Sequence, residues 1–341
     1  TNQATMSEFS TLTNLDEGLY KLNSKNKVVP AIAKTVAKPT NGGKTYTIQL
    51  RQNARWSNGD KVTAQDFVYS WRRSVDPANK PVYTYVFSGI KNADAVVAGK
   101  LSSSQLGIEA VGKYKLKITL EHPMQSFNKL VTMPVFLPQD KSFVQKVGTK
   151  KYGTNAKYTV SNGAFKITNW TGINDSYSLV KNKYYYAKKQ VRLNKINYTT
   201  VKDDNTAYNL FKTNKLDDAT VSGVVAQGLQ NNKNLKKINR AWTYYVQVNQ
   251  STGSPLANAK LRKAISLVVD RKELAKKVLG DGSTAAGSFV SPKTATDPTT
   301  GKDFSIETAA STQVNVKEAK KLWKRGLAES GKSSVTLSLV A

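Results

Sequence analysis

The sequence of 341 residues has no cysteine, a single histidine and three methionines. Absence of thiols excludes a disulfide framework, a thiolate nucleophile and a cysteine metal site together. No run of 18 apolar residues occurs, so nothing reads as a bilayer-spanning helix. The first residues lack the basic-then-apolar pattern of a secretory signal, so if the protein is exported its signal has been removed. Acidic residues are also scarce: 23 Asp and Glu stand against 52 Lys and Arg, a formal net charge of +29. That excess shapes encounters with any partner. The lysines are spread along the chain, without a zinc finger, a basic helical region or an RNA-binding aromatic signature, and nucleic acid is therefore excluded as the partner. An anionic envelope, or solubility in an unusual medium, accounts for the charge more simply.

Apolar residues make up 39% of the chain, enough for folded cores, and the length calls for two or more domains. The richest stretch runs from Tyr46 to Pro77. Tyr46, Ile48 and Leu50 alternate with Thr47 and Gln49 as a half-buried strand, and Asn58-Gly59-Asp60 supplies a turn. Thr63 and Asp66 form a capping box for a helix that buries Ala64, Phe67, Val68 and Trp71 and ends at Asp76-Pro77. Strands are expected around Tyr114–Leu120, with Lys113, Lys115 and Lys117 on the wet face, and at Phe165/Ile167, Tyr177/Leu179, Ile196/Tyr198 and Tyr244–Val248. Helices are expected over 206–212, from Ala257 with a fresh capping box at Asp270 and Glu273 for Leu274 and Val278, and from Asn315. A long polar loop fills 281–312, and 334–340 alternates as a strand. Strands and helices interleave as an α/β protein.

Catalysis needs an activated nucleophile, a paired acid and base, or a metal constellation. His122 sits at a strand end without an oriented nucleophile or fellow ligands, which leaves it a structural or exposed role. Asp203-Asp204 and Asp217-Asp218 are adjacent in sequence and do not face each other; the first pair reads as helix capping, the second as a loop. No catalytic residue, cofactor or metal ligand is assigned.

Four ordered segments carry a family resemblance. They are Tyr46–Pro77; Ser161-Asn162-Gly163-Ala164-Phe165 through Trp170 to Tyr184-Tyr185; Leu193–Tyr198 through Thr206-Ala207-Tyr208 to Ala219; and Tyr244–Asn249 followed by Lys260–Ser266 and Asp270-Arg271. In order and spacing they resemble the solute-binding proteins of peptide and nickel ABC importers, in the oligopeptide-binding branch. The chain departs from that pattern at Ala164 and at Tyr186, where the family commonly has a rigid proline-like residue and a tryptophan.

The resemblance implies a two-lobed, periplasmic-binding-protein-like α/β fold of class II, closing around a peptide. Residues 1–28 and 158–245 would form the first lobe, 29–157 its inserted subdomain and 246–341 the start of a second lobe that is incomplete in this chain. It implies a non-catalytic, extracytoplasmic oligopeptide-binding protein that delivers its ligand to the membrane permease of an ABC importer. Relatives in single-membrane bacteria are lipid-anchored through a cysteine at the mature amino terminus, which implies an upstream cysteine absent from this chain. The alternative is a cell-surface adhesin or peptide-signal receptor on the same fold, for which the positive charge would suit an anionic cell-wall polymer as a further partner.

A peptide's N–H and C=O groups are best met by extended backbone pairing, which is blind to sequence. The resemblance places such contacts at Glu17, Gly18 and Leu19, at Tyr83 and Tyr85, and at Trp242, Tyr244 and Tyr245. Gly18 would permit close backbone approach, while each tyrosine is either a rigid apolar face toward ligand or ordinary core or hinge packing. Asn162 either touches ligand or holds the turn before Gly163. The anchor for the peptide's amino terminus stays unassigned.

Overall fold

The computed structural model describes residues 6–238, 241–297, 299–310 and 313–339. The chain divides into two compact units, at the boundary between Thr200 and Val201.

The first unit opens with the helix Met6–Leu15 and an antiparallel pair, β1 (Tyr20–Leu22) with β2 (Val28–Pro30). A three-stranded antiparallel sheet follows, formed by β3 (Thr45–Gln49), β4 (Ile108–Ala110) and β5 (Lys115–Thr119), with β5 in the middle. Its register sets Tyr46 and Ile108 opposite Ile118, and Ile48 opposite Leu116. Alternation then puts all five side chains on one buried face, leaving Lys115 to solvent and Lys117 paired with Glu109 at 2.9 Å.

The helix Ala64–Val75 belongs to the same core, burying Phe67, Trp71 and Val75. Trp71 is held in orientation as well as buried: its ring meets Phe136 edge-on at 5.0 Å, and its indole N–H donates to the Phe136 carbonyl at 2.9 Å. At the helix start the Asp66 carboxylate accepts from the Thr63 backbone N–H at 2.8 Å, as the capping box requires. The helix stops at Asp76, whose side chain accepts from the Ala78 N–H ahead of a proline-led turn.

A second antiparallel sheet, β6 (Phe165–Thr168), β7 (Ser176–Lys181) and β8 (Lys195–Thr199), has its own small core of Leu15, Phe165, Ile167 and Leu179. Leu15 ties the first helix to it, as does the 2.8 Å hydrogen bond between Thr11 Oγ1 and Tyr177 Oη. His122 is exposed at the end of its strand region.

In the second unit the helix Asp204–Lys212 is capped by Asp203, which accepts from the Thr206 N–H at 2.7 Å. Asp204 instead holds Ser222, so neighbouring carboxylates serve separate structural tasks. The helices Ala259–Val268 and Val316–Glu329 pack antiparallel. Asn258 and Lys260 at the start of one bind Glu329 at the end of the other, and the Asn315 N–H donates to the Leu267 carbonyl. Gly326 makes the approach possible: a Cβ there would lie 2.8 Å from the Leu261 side chain.

Three expectations are corrected. Tyr244–Val248 and the described part of 334–340 carry strand patterning but form no strand; no described residue offers either a hydrogen-bonded ladder, without which alternation cannot become sheet. Asp270 does cap the next turn, accepting from the Glu273 N–H at 2.9 Å, but the chain then widens into π-helical Leu274–Leu279. Leu274 and Val278 consequently stay exposed instead of turning inward. No helix of the described residues is long and apolar enough to cross a membrane.

Candidate functional site

Where the first helix ends, the chain turns out through Asp16 and runs extended along the segment 31–33. The Gly18 carbonyl accepts from the Ile32 N–H, and the Leu19 carbonyl from those of Ala31 and Ala33. Residues 17–19 are thereby fixed on one side and buried. Asn162 fixes them on the other: its Oδ1 accepts the Glu17 N–H at 2.8 Å, and its Nδ2 donates to the Glu17 carbonyl at 3.0 Å. The Asn162 N–H in turn donates to Asp16 at 3.0 Å, and the Gly163 N–H to the Leu15 carbonyl at 2.7 Å. Both side-chain ends of Asn162 are therefore spent on the backbone of Glu17.

Within the chain, the tight steric position is Gly163 and not Gly18. A Cβ on Gly18 would meet ordinary contacts, 3.6 Å to Leu137 at the nearest, whereas a Cβ on Gly163 would lie 2.8 Å from the Leu15 carbonyl group. Gly163 is the position where only hydrogen fits.

The Glu17 carboxylate is the hub of the site. Oε1 accepts from the Tyr185 hydroxyl at 2.6 Å and from Lys21 Nζ at 2.5 Å, and Oε2 accepts from the Tyr186 hydroxyl at 2.7 Å. Burial first, and then the Glu17 charge, push both phenols above their ordinary range, so they act as donors. The Arg51 guanidinium lies over the Tyr186 ring at 4.8 Å, and its Nε donates to the Ala31 carbonyl at 2.6 Å. The result is a buried carboxylate whose acceptor sites are filled by two phenols and an ammonium, with a second cation behind. Beside it, Asp16 is half-buried as a residue with its carboxyl enclosed, and burial pushes it up to about 7.

The remaining candidates form two aromatic groups. Tyr83 is half-buried between Phe9 at 5.6 Å and Tyr85 at 6.4 Å, and Tyr85 is 69% exposed. In the second unit Trp242, Tyr244 and Tyr245 are all exposed, with the Tyr245 ring 5.0 Å from Phe289. The backbone groups of Tyr244–Val248 make no hydrogen bond to the backbone of another described residue. Sequence reasoning missed Lys21, Arg51, Tyr185 and Tyr186 as parts of the site. Lys21 carried a local signal, four residues after Glu17; the tyrosines, nearly 170 residues away, carried none.

Comparison with known proteins identifies the family of the chain. Residues 27–340 match the family model described as bacterial extracellular solute-binding proteins, family 5 middle. A dipeptide-binding protein of Lactococcus lactis is 37% identical over 340 residues, covering 96% of this chain and 61% of its own length. The oligopeptide-binding protein OppA of Bacillus subtilis is 32% identical over 94% of this chain and 58% of its own. Among solved structures, Listeria monocytogenes OppA bound to peptide superposes with a TM-score of 0.86 at 38% identity, over 97% of this chain and 66% of that one. The pheromone receptor PrgZ gives 0.86 at 36% identity, over 96% and 64%. The chain thus spans about three-fifths of the length of its curated relatives. Over that span it has the class II solute-binding fold expected from its sequence, and it belongs to family 5 of the bacterial extracellular solute-binding proteins.

Proposed function

We propose that the protein is a non-catalytic oligopeptide receptor that hands peptides to the membrane permease of an ABC importer. One observation carries the reading: the match to a peptide-bound OppA along 97% of the chain, at 38% identity. The local geometry supports it. Backbone of Tyr244–Val248 that makes no hydrogen bond to the backbone of another described residue, beside exposed Trp242, Tyr244 and Tyr245, suits a ligand recognised through its own backbone. Tyr83 and Tyr85 offer further faces, and the Glu17 hub keeps residues 17–19 in place. The chain's high positive charge favours retention at an anionic envelope, and we assign the protein to the outer face of the membrane, held there by a lipid anchor.

Calorimetry of the full-length protein against a mixed peptide library tests the proposal, with mass spectrometry of the recovered ligand. Bound, uncleaved peptides are expected. Failure of every peptide, alongside tight binding of a sugar or a metal complex, would overturn it. The likeness to a pheromone receptor favours a second reading, a receptor for a signalling peptide. Loss of the permease separates the two: a transport receptor's cells stop taking up peptide, whereas a receptor independent of transport keeps its response.

A further inference from the structure

A second polar site lies in the first unit, on the flank of the helix Ala64–Val75 turned away from its core face. Gln65, Tyr69, Arg72 and Asp76 recur at helical spacing and line one wall of a cleft of about 270 Å³, beside Arg73. Ser103, Lys141 and Thr149 close it from three other segments. This volume falls below the ~300–1,000 Å³ of clefts that take drug-sized ligands, and it suits a small group.

Three cations and one carboxylate meet here. Asp76 is engaged by the Ala78 N–H at 3.0 Å and by the Ser103 hydroxyl at 3.5 Å. The arginines are incompletely satisfied. Arg73 donates one terminal N–H to Gln139 at 2.9 Å and Arg72 makes a long 3.4 Å contact to the Ile108 carbonyl, but the Nε of each is buried with no acceptor. Arginines in the last turn of a helix complement its dipole, which explains their sign and leaves their buried donors unmatched. Tyr69 stands near Arg73, its phenol pushed up by burial and so kept as a donor.

We propose that this cleft binds a phosphoryl group. A carboxylate is satisfied by one guanidinium fork, while a phosphoryl group offers two or three non-bridging oxygens to distribute among Arg72, Arg73 and Lys141, with Thr149 as a neutral donor. The site shares no residue with the peptide-binding candidates, so it stands independently of the proposed function. The phosphoryl group belongs either to free phosphate or to a phosphodiester polymer of the envelope.

The test titrates inorganic phosphate into the full-length protein at constant ionic strength, balanced with chloride and read by calorimetry. A parallel arm uses poly(glycerol phosphate). Saturable phosphate binding is expected, weakened about ten-fold or more in the double variant Arg72→Gln/Arg73→Gln through loss of charge-assisted hydrogen bonds. Ser103→Glu sets a carboxylate in the cleft wall without removing either arginine and should weaken binding comparably; it decides the matter if the double variant does not fold. Polymer binding tighter than phosphate, and sensitive to the same substitutions, assigns the envelope as source; equal or weaker polymer binding assigns the free anion. No saturable response above chloride, or equal responses from the wild type and both variants, overturns the proposal.

Discussion

Asn162 grips the backbone of Glu17 from both sides, accepting its N–H at 2.8 Å and donating to its carbonyl at 3.0 Å. Replacing Asn162 by Ala would orphan two buried backbone groups at once. A loss of about 2–6 kcal/mol is expected, since each unsatisfied buried group costs ~1–3 kcal/mol. Urea denaturation checks this. A variant as stable as the parent would mean that water replaces the side chain.

The Glu17 hub makes a separate prediction. Tyr185→Phe and Tyr186→Phe each remove one phenol from the same carboxylate and leave the ring in place. Each should cost about 1.5–3 kcal/mol, the range for a hydrogen bond to a charged group. Because the tyrosines share a partner and their rings lie 4.8 Å apart, the double variant should deviate from additivity. A double-mutant cycle with Glu17→Gln measures this; strictly additive losses would show that the phenols act independently of the carboxylate.

Stability should also depend on pH through Asp66. Burial pushes its carboxyl up to about 6 from an ordinary 3.8, overriding the N–H donors of Thr63 and Lys141. Between those values the native state holds a proton that the unfolded chain has released. The stabilisation is therefore complete below the lower value and disappears as pH rises through the upper one. Comparing wild type with Asp66→Asn by denaturant titration from pH 4 to pH 7 isolates the effect: the wild type should lose stability relative to the variant as pH rises. A difference constant with pH, or one of opposite slope, would contradict it.

At Gly163 the constraint is steric. A methyl group would press on the Leu15 carbonyl, which is backbone and unable to rotate aside. Gly163→Ala should lose about 1–3 kcal/mol, the usual cost of overpacking, whereas Gly18→Ala should be milder because its nearest contact is 3.6 Å. Thermal midpoints of the two variants give the comparison, and the reverse order would refute the steric assignment.

The sequence revealed what depends on near neighbours. Alternation in β3 and β5 and the Thr63–Asp66 start of the following helix were legible because each is written within a few residues. Tyr244–Val248 shows the limit, because a strand pattern specifies faces and leaves open whether another strand arrives to pair with it. In the candidate site, Glu17, Gly18 and Leu19 could be named from family resemblance, but the partners that organise them could not. Tyr185 and Tyr186 come from a turn far along the chain, and their hydroxyls leave no periodic trace. Nothing in the sequence singled out Arg72 and Arg73, whose unmatched donors depend on the surrounding turns.

The joint between Leu15–Glu17 and Asn162–Gly163 spans about 145 residues of intervening chain. Closing so large a loop is entropically costly and is repaid only once the intervening core has collapsed. The main core between β1 and the Phe136 region can assemble from nearer contacts, so the amino-terminal helix should be the last piece of the first unit to lock. As the chain emerges from a ribosome or a translocation channel, that helix can meet Tyr83 through Phe9 but gains its Leu15–Glu17 anchor only once residue 163 has appeared. A nascent protein of this kind remains pliable through most of its synthesis and becomes committed late, in a single step.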